Sequence, residues 1–317
     1  MSAYLAIDFG GTRSRAALFD REMRMISRAE TLSRVEDGPD IVLARLSALG
    51  KSLTDPKGEP AAIGIAAPGP LDTSAGTIIK AETLPGWSNV PLAAFVSRAF
   101  AGASVFIEND ANLGAIAEYQ LGAGQGADPM IYLTISTGIG GGAIIGGELF
   151  TGAGGHAIEP GHMRLTLPDG SIRRWEELAS GTALGDLARQ RLAIGARPSV
   201  LRETELVDGK AVGEAALAGD EFALDCLRQA GAWLGLGLVN LLHLFNPAAI
   251  ILGGSVMRLG DQILDPARQA VDEQALFAGF VPRDLLRPAR FGDDVCLVGA
   301  ALHARQRASS VAPSDRH

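Results

Sequence analysis

The chain has 317 residues, 47% of them hydrophobic and 20% charged, with a formal net charge of −8. That length exceeds one small core and suits two domains, and the acidic balance makes a poor docking face for nucleic acid without excluding a local loop that binds an anionic cofactor. Two cysteines, Cys226 and Cys296, exclude a disulfide framework and a cysteine zinc pattern and read as buried thiols.

In chain order, residues 4–9 predict a strand, Gly10-Gly11-Thr12 a tight turn and residues 15–20 a returning strand. Ile41, Leu43, Leu46 and Leu49 recur at near-helical spacing and predict a helix over 39–53. Residues 62–67 read as a short buried strand that stops at Pro68-Gly69-Pro70, and residues 90–100 as a helix with Pro91 at its first position. A strand at 105–108 then feeds a helix over 111–121 through Asn109-Asp110. A second unit repeats the opening: strand 131–136, glycine turn 137–142, strand 143–150. This echo predicts two related α/β halves, each offering a glycine hairpin to one ligand. Helices are expected over 181–192, 212–218, 221–245, 260–274 and 299–307, with a last apolar strand at 249–252 ahead of Gly253-Gly254-Ser255. The small, polar tail after Ala308 is expected to be disordered. The longest apolar stretch, 234–245, is broken by Gly235, Gly237, Asn240 and His243 and is too short to span a bilayer. With no signal peptide visible before the first strand, the expected location is the cytoplasm.

The 40 glycines gather at a few loops. In Asp8-Phe9-Gly10-Gly11-Thr12-Arg13, glycines let consecutive N–H groups face one concavity suited to phosphate oxygens. Thr12 adds a hydroxyl, Arg13 or Arg15 a positive charge, and Asp8 a carboxylate for Mg²⁺ through water. The spacing is not that of a Walker A loop, and a plain hairpin turn is the alternative. Ser136-Thr137-Gly138-Ile139-Gly140-Gly141-Gly142 is the second candidate, since glycines are costly beside strands unless the backbone needs the room. Gly253-Gly254, after a buried strand, either lets a ligand ring lie close or makes a left-handed turn.

A second chemistry gathers around Glu108-Asn109-Asp110-Ala111-Asn112, where a strand feeds a helix. A helix N-cap explains one polar residue, not the group. A carboxylate there can accept a proton from a hydroxyl, and phosphoryl transfer asks a protein mainly for positioning, charge stabilisation and such a base. Glu159-Pro160-Gly161-His162 pairs a carboxylate with an imidazole, and Trp175-Glu176-Glu177 adds carboxylates at a helix start. Together they supply the convergent donors and acceptors that a sugar requires. A solvated acidic face is the alternative for Glu177, and a structural histidine for His162.

These elements resemble those of the ROK family (repressors, open reading frames and sugar kinases) within the actin-like ATPase superfamily. The resemblance is carried by Asp8 to Arg13, Ala67-Pro68-Gly69-Pro70-Leu71-Asp72, Pro85-Gly86-Trp87-Ser88-Asn89-Val90-Pro91-Leu92 and Glu108-Asn109-Asp110-Ala111-Asn112. It continues through Thr137 to Gly142, Glu159 to Met163, Glu176 to Gly181, Asn246-Pro247 and Leu252-Gly253-Gly254, in the family's order. It implies an α/β, two-domain actin-like ATPase (ribonuclease H-like) fold with the active site in the interdomain cleft. The smaller domain is expected to comprise residues 1–112 plus a C-terminal helix at about 299–317, and the larger one 113–298. By the resemblance, Asp110 is the catalytic base, Asn109, Glu159, His162 and Glu176 contact the sugar, and Gly69 presents its backbone to it. Asp8, Gly10, Gly11, Thr12, Arg13, Thr137, Gly138, Gly253 and Gly254 contact the nucleotide. ATP with Mg²⁺ is implied, and a homodimer is expected.

Three departures from the family's pattern stand out. Arg13 replaces the usual lysine and keeps its charge, and Ile158 and Pro160 flank Glu159 where a glycine and an apolar residue are usual, which predicts a stiffer loop. Between His162 and Glu176, many relatives carry a Cys-x-Cys-Gly-x-x-Gly-Cys zinc motif. Here residues 163–175 hold no cysteine, so no structural zinc is expected. Leu165, Leu167, Ile172 and Trp175 alternate around Pro168-Asp169-Gly170 and predict a hairpin that positions His162 and Glu176 by packing instead.

The expected activity is ATP-dependent phosphorylation of a hexose hydroxyl, glucose first. N-acetylmannosamine, fructose or another amino sugar is the alternative acceptor. A sugar-responsive repressor is disfavoured because no helix-turn-helix precedes the first strand, and a non-catalytic sugar-binding relic because Asp110 and both glycine loops are present. No nucleic-acid or membrane partner is expected.

Overall fold

The computed structural model describes residues 3–54, 58–81, 84, 86–195 and 197–311. Two compact units divide the chain: Met1–Gln120 with Thr151–His156 and Asp293–His317, and Leu121–Phe150 with Ala157–Gly292.

The first unit is built on a five-stranded sheet. Strand β1 (Tyr4–Phe9) turns into β2 (Arg13–Phe19) and then β3 (Met25–Leu32), all antiparallel. Helix α1 (Pro39–Thr54) leads to β4 (Ala62–Ala67), which runs parallel to β1 and is buried at every residue. A small antiparallel sheet of β5 (Leu71–Asp72), β6 (Thr77–Lys80) and β7 (Ser88–Val90) follows. Helix α2 (Leu92–Ala99) leads to β8 (Val105–Asn109), parallel to β4, and β8 passes without a loop into α3 (Asp110–Leu121). The strand order is β3-β2-β1-β4-β8. Strand β3 was not expected from the sequence: it is an edge strand, and its polar Ser27, Arg28, Glu30 and Thr31 mask it. Ile41, expected on the apolar face of α1, is 56% exposed; Val42, Leu43, Leu46 and Leu53 form that face. Pro91 caps α2 rather than opening it, and Val90 belongs to β7. Pro85 lies outside the described residues.

The second unit repeats the same plan. Strand β9 (Met130–Ile135) turns into β10 (Ile139–Ile145) and β11 (Glu148–Leu149). A hairpin of β12 (Arg164–Thr166) and β13 (Ile172–Arg174) precedes the helices α4 (Glu176–Ala179), α5 (Gly181–Ile194), α6 (Gly209–Leu217) and α7 (Glu221–Phe245). Strand β14 (Ala249–Gly253) is parallel to β9; after α8 (Asp261–Gln274), β15 (Leu286–Pro288) adds on parallel to β14. The order is β11-β10-β9-β14-β15, the counterpart of the first sheet strand for strand. The expected glycine turn is shorter than predicted. Only 136–138 turn, and Gly140, Gly141 and Gly142 lie within β10, paired to Thr134, Leu133 and Tyr132.

The last helix, α9 (Val295–Val311), returns to the first unit and packs on β1, β4 and β8. It lies so close to β4 that a Cβ on Gly64 would come within 1.9 Å of the Ala300 carbonyl, so only glycine fits there. Residues 309–311, expected in a disordered tail, continue this helix, and 312–317 lie outside the described residues. Among the described residues no helix is long and apolar enough to cross a membrane.

Candidate active site

In the first unit the chemistry collects at the carboxyl ends of the parallel strands β1, β4 and β8, where open α/β sheets place ligands. Asp8 is the penultimate residue of β1, Gly69 follows β4, and Asn109-Asp110 joins β8 to α3. Asp8 is buried, 7% exposed, and pairs with Arg15 directly across the β1–β2 ladder. Burial pushes its carboxyl up, and the Arg15 charge and hydrogen bond pull it back. The following turn is closed by the Gly10 N–H donating to the Arg13 carbonyl at 3.2 Å. Ser33 Oγ donates to the Gly10 carbonyl at 2.5 Å and lies 2.8 Å from Ser14 Oγ. Gly11, Thr12 and Arg13 are exposed. The Arg13 side chain faces Glu30 at 3.5 Å, an exposed pair of little energetic weight.

The polar group at the β8–α3 junction divides into a buried support and an exposed tip. Glu108, 5% exposed, accepts from the Asn109 N–H at 2.8 Å and from Asn112 Nδ2 at 3.0 Å, spanning the junction from beneath. Burial raises its carboxyl, against the pull of those two hydrogen bonds. Above it, the Ala111 N–H donates to Asn109 Oδ1 at 2.9 Å and to Asp110 Oδ1 at 2.8 Å. Asp110 is exposed at the first turn of α3. Cys296 on α9, read from sequence as a plain buried thiol, is only half-buried and lies in polar company. Its Sγ is 3.9 Å from the Asp110 carbonyl, and its thiol is pushed well up by burial and then by the negative charges of Asp8 and Asp110. Cys226 is buried as expected. Gly69 lies beside Asn109: a Cβ on it would be 3.7 Å from Asn109 Nδ2.

In the second unit, Thr137-Gly138 forms the β9–β10 turn and Gly253-Gly254 ends β14, which is parallel to β9. The Ser136 carbonyl accepts from the Gly181 N–H at 2.7 Å, pinning the turn to the start of α5. Gly254 has φ +92° and ψ 167°, a backbone conformation that favours glycine, and packs on the Ile135 backbone. Beyond it opens a cavity of about 530 Å³ lined by Thr137, Thr182, Lys210, Gly213, Val256 and Arg258 among others, with Ser255 next to Gly254. Of these only Thr137 was singled out from sequence. The others come from α5, α6 and the turn after β14, and no local pattern links them. The missed start of α6, with Asp208 Oδ1 accepting from the Ala211 N–H at 2.8 Å, is the one signal that pointed to 208–210.

The Glu159–His162 turn packs against β10, which explains Gly141 of that strand. A Cβ on Gly141 would come 2.7 Å from Pro160, and one on Gly161 2.3 Å from the Ile139 carbonyl. Glu159 and His162 are exposed at this turn. Glu176 comes to the same place: its Oε2 would be 2.9 Å from a Cβ on Gly138 and 3.3 Å from one on Gly161, while Arg174 Nη1 pairs with its Oε1 at 3.0 Å. The structure thus joins Gly138, Gly161 and Glu176, and adds Arg174, which the sequence reading did not single out. The β12–β13 hairpin forms as expected. Its exit residue Trp175 is fully buried, packs on Gly237 and donates from Nε1 to the Trp233 carbonyl at 2.9 Å.

Comparison with known proteins accounts for this arrangement: residues 4–307 match the ROK family. The chain belongs to that family. A glucokinase from Streptomyces coelicolor is 34% identical over 96% of this chain and 98% of its own length. A glucokinase from Thermotoga maritima is 30% identical over 96% and 97%. Among solved structures, a ROK family glucokinase from Streptomyces griseus in complex with glucose and AMPPNP is 35% identical, with a TM-score of 0.80 over 96% of this chain and 100% of that one. A ROK hexokinase from Thermus thermophilus is 32% identical with a TM-score of 0.78. The two matching sheets are those of the actin-like ATPase fold that this ROK chain shares with them.

Proposed function

We propose that the protein is an ATP-dependent sugar kinase that phosphorylates a hexose hydroxyl, with glucose the first acceptor to test. The observation that carries this reading is the exposed Asp110 carboxylate at the N-terminus of α3, beside Asn109 and at the same strand ends as Asp8. An ionised carboxylate there takes the proton of the sugar hydroxyl as that oxygen attacks the γ-phosphorus. Asn109, Glu159, His162 and Glu176 hold the sugar hydroxyls, and Gly69 offers backbone. The two hairpin turns, Asp8 to Arg13 and Thr137-Gly138, hold the phosphates. The cavity beyond Gly253-Gly254 takes the adenosine, a reading supported by its volume, which falls within the range usual for small-molecule sites. Mg²⁺ enters with ATP as part of the substrate and neutralises phosphate charge. Asp8 is the carboxylate that would hold it through water, one oxygen being engaged by Arg15. The enzyme acts as a cytoplasmic homodimer, without nucleic-acid or membrane partners.

The test is an ADP-release assay across glucose, fructose, mannose, N-acetylglucosamine and N-acetylmannosamine. Asp110→Asn should lose turnover by roughly 10²–10⁴-fold, the usual worth of a general base, while its melting curve is unchanged. Retained turnover would remove Asp110 from the mechanism.

A further inference from the structure

We propose that Arg15 is a positioning residue for phosphoryl transfer, holding the Asp8 carboxylate at the Gly10-Gly11-Thr12 turn and tying that turn to the segment that opens α9. This inference rests on the nucleotide reading of the β1–β2 turn.

The geometry comes from register. Asp8 and Arg15 are direct partners across the antiparallel ladder, so their side chains leave the sheet on one face. Arg15 Nη2 donates to Asp8 Oδ2, and Nη1 donates to the Asp293 carbonyl at 2.5 Å. One guanidinium therefore links the strand that carries the carboxylate to the backbone just ahead of α9. A lysine ammonium on a flexible stem does not reproduce this two-armed hold.

Burial separates this pair from its neighbours. The Arg15 and Asp8 side chains are 24% and 10% exposed. The nearby pairs Arg13–Glu30 and Arg28–Asp294 are more open, at 66%/44% and 35%/39%. Exposed pairs contribute little, whereas a shielded carboxylate that loses its partner is left with an uncompensated charge. On the turn's other side the Ser14–Ser33–Gly10 chain of hydrogen bonds holds the backbone without charge. The turn is thus braced on both sides, and Arg15 is the ionic brace. By sequence alone Arg15 is a charge available to phosphate; its pairing with Asp8 gives it a different task.

Steady-state kinetics on wild type, Arg15→Ala, Arg15→Lys, Asp8→Asn and the Arg15→Ala/Asp8→Asn double variant, with melting curves for each, test this. Arg15→Ala is expected to lower kcat roughly 10- to 100-fold, the scale of a misplaced reacting group, while the sugar KM stays within about twofold. Arg15→Lys is expected to recover part of the loss. The double variant is expected to lose no more than the worse single one, because both changes break one unit. Wild-type kcat in Arg15→Ala, a loss matched by the unfolded fraction, or additive single losses would each overturn the proposal. Absence of turnover by wild type on every sugar would refute the kinase reading instead. Displacement of a fluorescent ATP analogue then decides for Arg15: weaker ATP binding by Arg15→Ala supports its role, and unchanged affinity overturns it.

Discussion

Replacing Gly237 by alanine reverses the usual expectation for a helix. In the middle of α7, alanine should gain about 1 kcal/mol over glycine from backbone propensity. Here the new Cβ would lie 1.9 Å from Cε2, 2.3 Å from Cζ2 and 2.4 Å from Cδ2 of Trp175. That indole is fully buried and fastened by Nε1 to the Trp233 carbonyl, one turn earlier on the same helix, so it cannot swing into solvent. Overpacking of this kind costs about 1–3 kcal/mol, and pulling Nε1 off its acceptor leaves a buried donor unsatisfied at about 1–3 kcal/mol more. The net after the helix gain is a loss of about 1–5 kcal/mol, or about 2–20 °C in Tm at 2–4 °C per kcal/mol. Because Glu176 follows Trp175 directly, the sugar KM should rise in step. Urea and thermal melts, with sugar KM measured below the transition, check both effects. Trp175→Phe, which makes room, should reduce the penalty of Gly237→Ala when the two are combined. Gly237→Ala melting at or above wild type with an unchanged sugar KM would refute the idea that packing against α7 sets Glu176.

At the β8–α3 junction, Glu108→Ala leaves the Asn109 N–H and Asn112 Nδ2 without their acceptor, at a cost of about 1–3 kcal/mol and with a fall in kcat, while Glu108→Gln keeps an acceptor and most of the activity; urea melts and kcat for the pair separate the outcomes. His303, partly buried against Phe106 and beside Arg307, has its pKa lowered from 6.5 to about 4, chiefly by burial. Its folded pKa lies below its unfolded one, so its share of stability is complete above pH 6.5 and is lost as pH falls towards 4, by up to about 3 kcal/mol. His303→Phe should flatten the stability curve in that window, and urea melts at pH 7 and pH 5 measure it. Thr182→Trp, on the wall of the 530 Å³ cavity, should raise the KM for ATP several-fold with the sugar KM unchanged, and a change confined to the sugar KM would count against the adenosine reading.

What the amino-acid sequence determined by itself is what neighbouring residues decide. The apolar strand 4–9 with its glycine turn, the buried strand at 62–67 and the 221–245 helix were legible because their periodicity and turn chemistry are local. So was the placing of Asp8 and Asp110 at strand ends, since each comes at the close of a short β-run. The family resemblance added a role to each residue and was legible on the motifs themselves. The edge strand β3 escaped because polar residues such as Arg28 and Glu30 break its apolar pattern on a ladder that only β2 reveals. Gly140 to Gly142 read as a loop, yet they lie in a strand, where the missing side chain of Gly141 admits Pro160 and the turn that carries Glu159 and His162. The same applies to the charges. Which distant carbonyl the second arm of Arg15 reaches, 278 residues along the chain, and which helices enclose the cavity beside Thr137 are contacts between segments far apart in sequence. Propensity acts over one or two turns of chain, whereas these pairings are selected by desolvation and packing once the sheets have formed, and only the tertiary structure decides them.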